Sequence, residues 1–257
     1  MRNRRLLLLV LLGVLAYSLT PRGRLMSVLA RSWLQDNRPN EVTTSMSGRK
    51  MAHMYMTSLR PKQAGDVQKA DAVVADARAA IAPYQDYRKA LADGYEIFLP
   101  NLPQPQYHFT NHEYALEARR HFDPSKPTSL LYKKTRDGGY KLVGVMYTDR
   151  VDASEDELNS RIPLSVARWH QHVNFCKAPA GRKLEYFGPS AKFGLMGSIT
   201  TKEACEAAGG EFYPHVFGWM VHVYPYESDP ARIWSTEDDD HGLDNMDHSS
   251  MGGMKMN

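Results

Sequence analysis

At 257 residues, 42% of them hydrophobic, the chain is long enough to bury one substantial core and still carry extended tails. The formal net charge is +3, and three arginines, Arg2, Arg4 and Arg5, sit in a leader-like N-terminus whose removal leaves a formal charge of zero. No long basic run and no interleaving of aromatic with basic residues follows, so a surface that tracks nucleic acid has no support.

Residues 1–20 begin with those arginines, continue as an apolar run from Leu6 to Leu12 and on to Leu15, and offer Val14 and Ala16 as a small-residue cleavage site. The run falls short of the roughly 18 apolar residues expected of a spanning helix, although Tyr17 to Leu19 lengthen it. It is read as a signal peptide, with a retained membrane anchor as the alternative. The protein is therefore expected to be exported: periplasmic, secreted, or held on the outer side of the inner membrane. Under the oxidising conditions that export implies, Cys176 and Cys205, the only two cysteines, are natural disulfide partners. A thiolate acting as a metal ligand is the alternative.

Residues 21–65 read as a polar, Met-containing linker. Within it Met46, Met51, Met54 and Met56 surround His53. Thioether sulfur is a soft ligand that prefers Cu(I), but Met is also a flexible packing residue, and packing is the plainer reading of this segment. Ala70, Val73, Val74, Ala77, Ile81 and Tyr84 then recur at helical steps behind Asp66. Pro83 breaks that helix, and a second piece carrying Tyr87 and Leu91 stops at Gly94. Both are expected to cover a sheet. Residues 96–115 hold three prolines, a short extended YHFTN, and two histidines: His108 in alternating surroundings, a fourth-ligand candidate, and His112, expected at the surface. An Asp-Gly-Gly turn at 137–139 between apolar runs predicts a hairpin of strands over 129–135 and 140–147. The acids Asp152, Glu155, Asp156 and Glu157 crowd a linker or short helix and read as a solvated face.

The stretch ARWHQHVNFC, 167–176, carries the strongest chemical signal. In a strand Arg168, His170, His172 and Asn174 share one face, while Trp169, Val173 and Phe175 share the other. Two imidazoles about 6 to 7 Å apart at the backbone can close on one ion at roughly 2.0 to 2.1 Å. In GWMVHVY, 218–224, Met220, His222 and Tyr224 share a face, so pairing of the two strands brings three histidines together. The competing reading of His-x-His is a polar strand face opposite a core face. Between these strands, residues 177–199 read as a Gly- and Pro-rich loop and 200–210 as a short helix capped by Thr200 or Thr201. Glu185, Tyr213 and His215 flank the candidate site in sequence as possible supporting residues.

The fold expected is α+β: a mainly antiparallel sheet or small barrel with N-terminal covering helices and flexible tails. A single metal-binding domain is placed at 66–235. The tail, 236–257, cannot build a core and reads as disordered. It nevertheless spaces His241, Met246, His248, Met251, Met254 and Met256 closely along a polar chain. That pattern suits copper capture, since sulfur favours Cu(I) and imidazole Cu(II). Met246, His248, Met251, Met254 and Met256 are the capture candidates.

MDHSSMGGM in this tail resembles the Met and His repeats of bacterial periplasmic copper-resistance proteins, a likeness that implies copper uptake. YHFTN, KPTSLLY, GGYKLVGVMY and WHQHVNFC, spread over roughly residues 85–176, resemble a group of secreted bacterial proteins of no established function. That resemblance implies a compact exported domain and no mechanism. Cupins also bind metal through a His-x-His strand, but no Glu follows His172 by three or four residues and the glycine framing is missing, so no cupin activity is carried over.

The leading expectation is an exported protein of copper binding, handling or resistance. Its folded site is His170, His172 and His222 with His108 as fourth ligand, its metal partner copper or alternatively zinc. One alternative is a metal-dependent enzyme, an oxidoreductase or hydrolase, in which the same three histidines leave a coordination position open. No catalytic residue is assigned, because no acid stands at a telling distance. The second alternative is a structural or interaction domain without metal.

Overall fold

The computed structural model describes residues 52–101, 104–186 and 190–236. The leader, Met46, Met51, His241 and the capture candidates Met246, His248, Met251, Met254 and Met256 lie outside the described residues. Among the described residues no helix is long and apolar enough to cross a membrane.

Seven strands form one sheet: β1 (Met54–Met56), β2 (Glu96–Ile97), β3 (Tyr107–Thr110), β4 (Ser129–Lys134), β5 (Tyr140–Asp149), β6 (His170–Lys177) and β7 (Glu211–Val223). Their order is β1-β6-β7-β5-β4-β3-β2, and every neighbouring pair is antiparallel. The edges β1 and β2 do not meet, so the sheet is open and the alternative of a closed barrel is not realised. With the helices α1 (Asp66–Ile81), α2 (Tyr87–Ala92), α3 (His112–Ala118), α4 (Glu155–Arg161), α5 (Lys202–Ala207) and α6 (Pro230–Ile233), the fold is α+β.

The helices follow their local signals. Asp66 opens α1 by accepting a 2.8 Å hydrogen bond from the Gln63 amide, and Ala70, Val73, Val74, Ala77 and Ile81 form its buried face. Pro83 tightens the chain into a 3-10 turn at 82–85, after which Asp86 caps α2 through the Arg88 amide. One sheet face meets α1: Phe109, Tyr132, Val145, Trp169, Val221 and Val223 share a core cluster with Val73, Ala77 and Ile81. Each large apolar side chain buried there contributes about 1.5–3 kcal/mol.

The folded unit reaches further upstream than residue 66, where the domain was expected to begin. Met54, Tyr55 and Met56 pair with His172, Gln171 and His170. Just beyond them the Thr57 amide donates to the Trp169 carbonyl at 2.9 Å and the Arg60 amide to the Leu164 carbonyl at 3.1 Å.

The second sheet face is concave. From β7 to β3 the sheet takes three interstrand steps, which on a flat sheet amount to roughly 14 Å. Yet the rings of His222 and His108 have centroids 5.6 Å apart, and the Tyr224 hydroxyl is hydrogen-bonded at 3.2 Å to the side chain of Gln106, which precedes β3. Only a sheet that curls about this face brings such groups together. Gly144 on β5 allows the crossing: a Cβ there would stand 2.6 Å from the Val223 carbonyl oxygen and 2.9 Å from the Tyr224 ring. A second irregularity lies between β6 and β7, where His170 pairs with Met220 but His172 pairs with Val216. The extra residues include Phe217, at φ 73°, and Gly218, whose missing Cβ makes room for the Asp149 carbonyl. Such a bulge re-aims the side chains beside it.

Cys176 at the end of β6 is bonded to Cys205 of α5, with Cα atoms 5.6 Å apart and both residues fully buried. Because the bridge closes a long segment, 29 residues in sequence, it restricts the unfolded chain. The Cys176→Ser/Cys205→Ser double variant should lose about 2–4 kcal/mol of unfolding free energy in urea titrations. A thiol assay on the denatured, unreduced native protein should find no free thiol.

Candidate functional site

The concave face carries the histidines singled out from the sequence. His170 and His172 lie on β6, His222 on β7 and His108 on β3. Ring centroids are 5.1 Å apart for His170 and His222, 5.6 Å for His170 and His172, and 5.6 Å for His108 and His222. Imidazoles bound tetrahedrally to one ion at about 2.0–2.1 Å have centroids roughly 5 Å apart, and these three pairs stand near that spacing. Among the described residues no group of three or more His, Cys, Asp or Glu is placed to hold a metal ion as it stands.

His170 and His222 are 2% and 3% exposed, and the Nδ1 atom of each is buried without a hydrogen-bond partner. His172 is half-buried beside the backbone of His53, whose carbonyl accepts the Val173 amide at 2.9 Å and whose proximity works against the effect of burial on the His172 ring. His53 is itself anchored, with its ring nitrogens 3.1 Å from the Asn174 carbonyl oxygen and 2.7 Å from that of Gly197.

Burial and mutual proximity keep the cluster neutral. Burial pushes His108 and His172 down to about 4 and His170 to about 3, and drives His222 well below its ordinary value. His222 is further lowered by His170, His108 and His172, His170 by His172 and His108, and His108 by His172. Every pairing among the four is thus close enough to be felt. No carboxylate of the described residues acts on any of these rings. Four neutral nitrogen donors can bind a metal cation, and no acid stands among them to serve as a general base.

The remaining candidates are placed elsewhere. His112 begins α3 at the surface, 3.9 Å from Glu96. Glu185 pairs with Arg182 at 2.5 Å, and Tyr213 and His215 lie further along β7 opposite Phe175 and Val173. Two residues left as packing in the sequence reading do belong to this region. Met54 and Met56 on β1 sit directly across from His172 and His170. The one signal for this was the alternation Met-Tyr-Met, too short to define a period. No known protein family, curated protein or solved structure matches the chain.

The histidines set the acid response of the fold. An unfolded histidine takes its proton near 6.5, whereas His108, His172 and His170 resist protonation down to about 4, about 4 and about 3. Between these limits the unfolded chain binds more protons, so the stability these groups contribute is present above about 6.5 and is lost as pH falls through about 4. Asp149, pushed up to about 6 by burial beside Arg161, acts in the opposite sense but is one group against four. The urea midpoint of metal-free protein should fall between pH 7 and pH 4, and His170→Leu should flatten that fall.

Proposed function

We propose that this protein binds copper at His108, His170, His172 and His222 and handles it outside the cytoplasm. The observation that carries this reading is the pair of buried, partnerless Nδ1 atoms of His170 and His222 inside a cluster of neutral imidazoles. A buried polar atom left unpaired costs about 1–3 kcal/mol, and histidines serving as packing or as a polar face would be expected to find partners or water. A cation is a partner that several such lone pairs can share.

Zinc suits an all-imidazole site as well as copper does. Copper is favoured by the soft sulfurs along the rest of the chain: Met54 and Met56 beside the site, and Met246, Met251, Met254 and Met256 with His248 in the tail. The tail would take up Cu(I) on thioethers and pass it to imidazoles in the folded domain. The leader and the Cys176–Cys205 disulfide both suit an oxidising compartment.

Purified protein loaded with copper and passed through a desalting column should retain roughly one ion per chain, the count set by a single tetrahedral site. His170→Ala and His222→Ala should each abolish that retention while leaving the circular dichroism of the fold in place. Unchanged copper content in both variants would defeat the proposal. Deleting residues 241–257 should slow Cu(I) uptake from a weak chelator and leave the retained stoichiometry unaltered.

A further inference from the structure

We infer that the edge strand β1 supplies thioether ligands to this site, making it a mixed imidazole and sulfur centre selective for Cu(I) over divalent ions. The inference rests on the metal-binding reading above and adds both the ligands from β1 and the oxidation state.

Register is the first ground. Directly opposed residues of an antiparallel pair lie on one face with Cβ atoms about 4.5–5.5 Å apart. Met54 opposes His172 and Met56 opposes His170. Tyr55 between them turns to the core face, where its ring meets Trp219 at a centroid distance of 5.6 Å. The two methionines are therefore on the histidine face.

Packing is the second ground. Met146 and Met220 also stand opposite His222 and His170, but both are buried in an apolar cluster with Leu131 and Tyr224. Met54 and Met56 are half-buried and join none of the hydrophobic clusters among the described residues. Packing accounts for the first pair of sulfurs and leaves the second pair without an apolar role.

Charge is the third. Desolvating an ion costs energy in proportion to the square of its charge, so a divalent ion costs about four times as much to bury as a monovalent one of similar size. A buried site with no carboxylate of the described residues acting on its histidines gives no anion to offset the second charge. Thioether sulfur completes the preference, since it favours Cu(I) and contributes little to a zinc site.

The test uses the full chain and the Met54→Leu/Met56→Leu double variant, which keeps apolar volume but removes both sulfurs. Cu(I) affinity is read by competition with a colorimetric Cu(I) chelator under reducing-agent-free anaerobic conditions, and Zn(II) affinity by competition with a fluorescent zinc chelator. The double variant should lose Cu(I) affinity by at least the roughly 10- to 100-fold that even outer-shell changes typically cost, with Zn(II) affinity unchanged. X-ray absorption of the Cu(I)-loaded chain lacking residues 241–257 should show a copper–sulfur shell that the double variant lacks. Unchanged Cu(I) affinity in the double variant, with His170→Ala still abolishing it, would overturn the thioether inference and leave the histidine site standing. Equal losses for Cu(I) and Zn(II) would assign Met54 and Met56 to structure and overturn it too. Failure of the native protein to bind either ion would overturn both this inference and the reading on which it rests.

Discussion

The concave face of this sheet depends on how buried imidazoles are satisfied. A histidine ring has two nitrogens, and a buried one without a partner sacrifices the hydration it had in the unfolded chain. His170 and His222 each keep an Nδ1 in the interior with no hydrogen-bond partner among the described residues. Other buried polar groups are satisfied. Thr128 donates to the Met146 carbonyl at 2.8 Å, and the Trp219 indole to that of Ala153 at 3.1 Å. The Trp169 indole nitrogen in the core is also buried without a partner among the described residues, but His170 and His222 are set apart by standing together, with ring centroids 5.1 Å apart, and open valences gathered in this way mark sites where a ligand completes the bonding.

The curl of the sheet is what makes the exception possible. Flat strands would leave His108 two strands too far from β7 to meet His222, and the bend is enforced by side-chain size rather than by hydrogen bonding alone. With no side chain at Gly144, the Tyr224 ring crosses β5 and its hydroxyl meets Gln106. With none at Gly218, β7 kinks under the Asp149 carbonyl, and the register between β6 and β7 slips between His170 and His172. Beyond the site, the Cys176–Cys205 bridge ties the far end of β6 to α5. The two histidines of β6 are thus set between a covalent anchor downstream and the β1 pairing alongside.

Much of this was legible in the residues because it is local. Alternation in WHQHVNF assigned His170 and His172 to one face, alternation in GWMVHV assigned His222 with Met220, and Asp137-Gly138-Gly139 marked the β4–β5 hairpin that forms. Helical periodicity gave α1 its buried stripe, and two cysteines with one possible pairing gave the disulfide. What stayed hidden was non-local or aperiodic. β7 begins at Glu211, well before the expected 218, because Pro214 and the bulge at Phe217 and Gly218 interrupt its alternation. β1 has three residues and no period of its own, so its place beside β6 comes only from tertiary pairing. That the sheet would be open and yet curled enough to bring β3 to β7 followed from contacts, such as Tyr224 over Gly144, that no window of sequence contains.

The same distinction bears on how a metal would be admitted. The imidazoles of β6 and β7 belong to long strands fixed by neighbours on both sides, so their positions change little and only their rings turn. β1 differs, because among the described residues it pairs with β6 alone and lies at the edge of the sheet. An edge strand of three residues is among the cheapest elements of a sheet to release, since few backbone hydrogen bonds hold it and little apolar area is lost. If sulfur from β1 completes the coordination, the ion becomes a cross-link between a short edge strand and the central β6–β7 pair, and binding energy appears as ordering of β1 against β6. Imidazoles that stand near one another without forming a finished metal site fit that sequence of events. A site finished in advance would have to hold neutral nitrogen lone pairs pointed at one another, a repulsive arrangement that a fold avoids until a cation supplies the attraction.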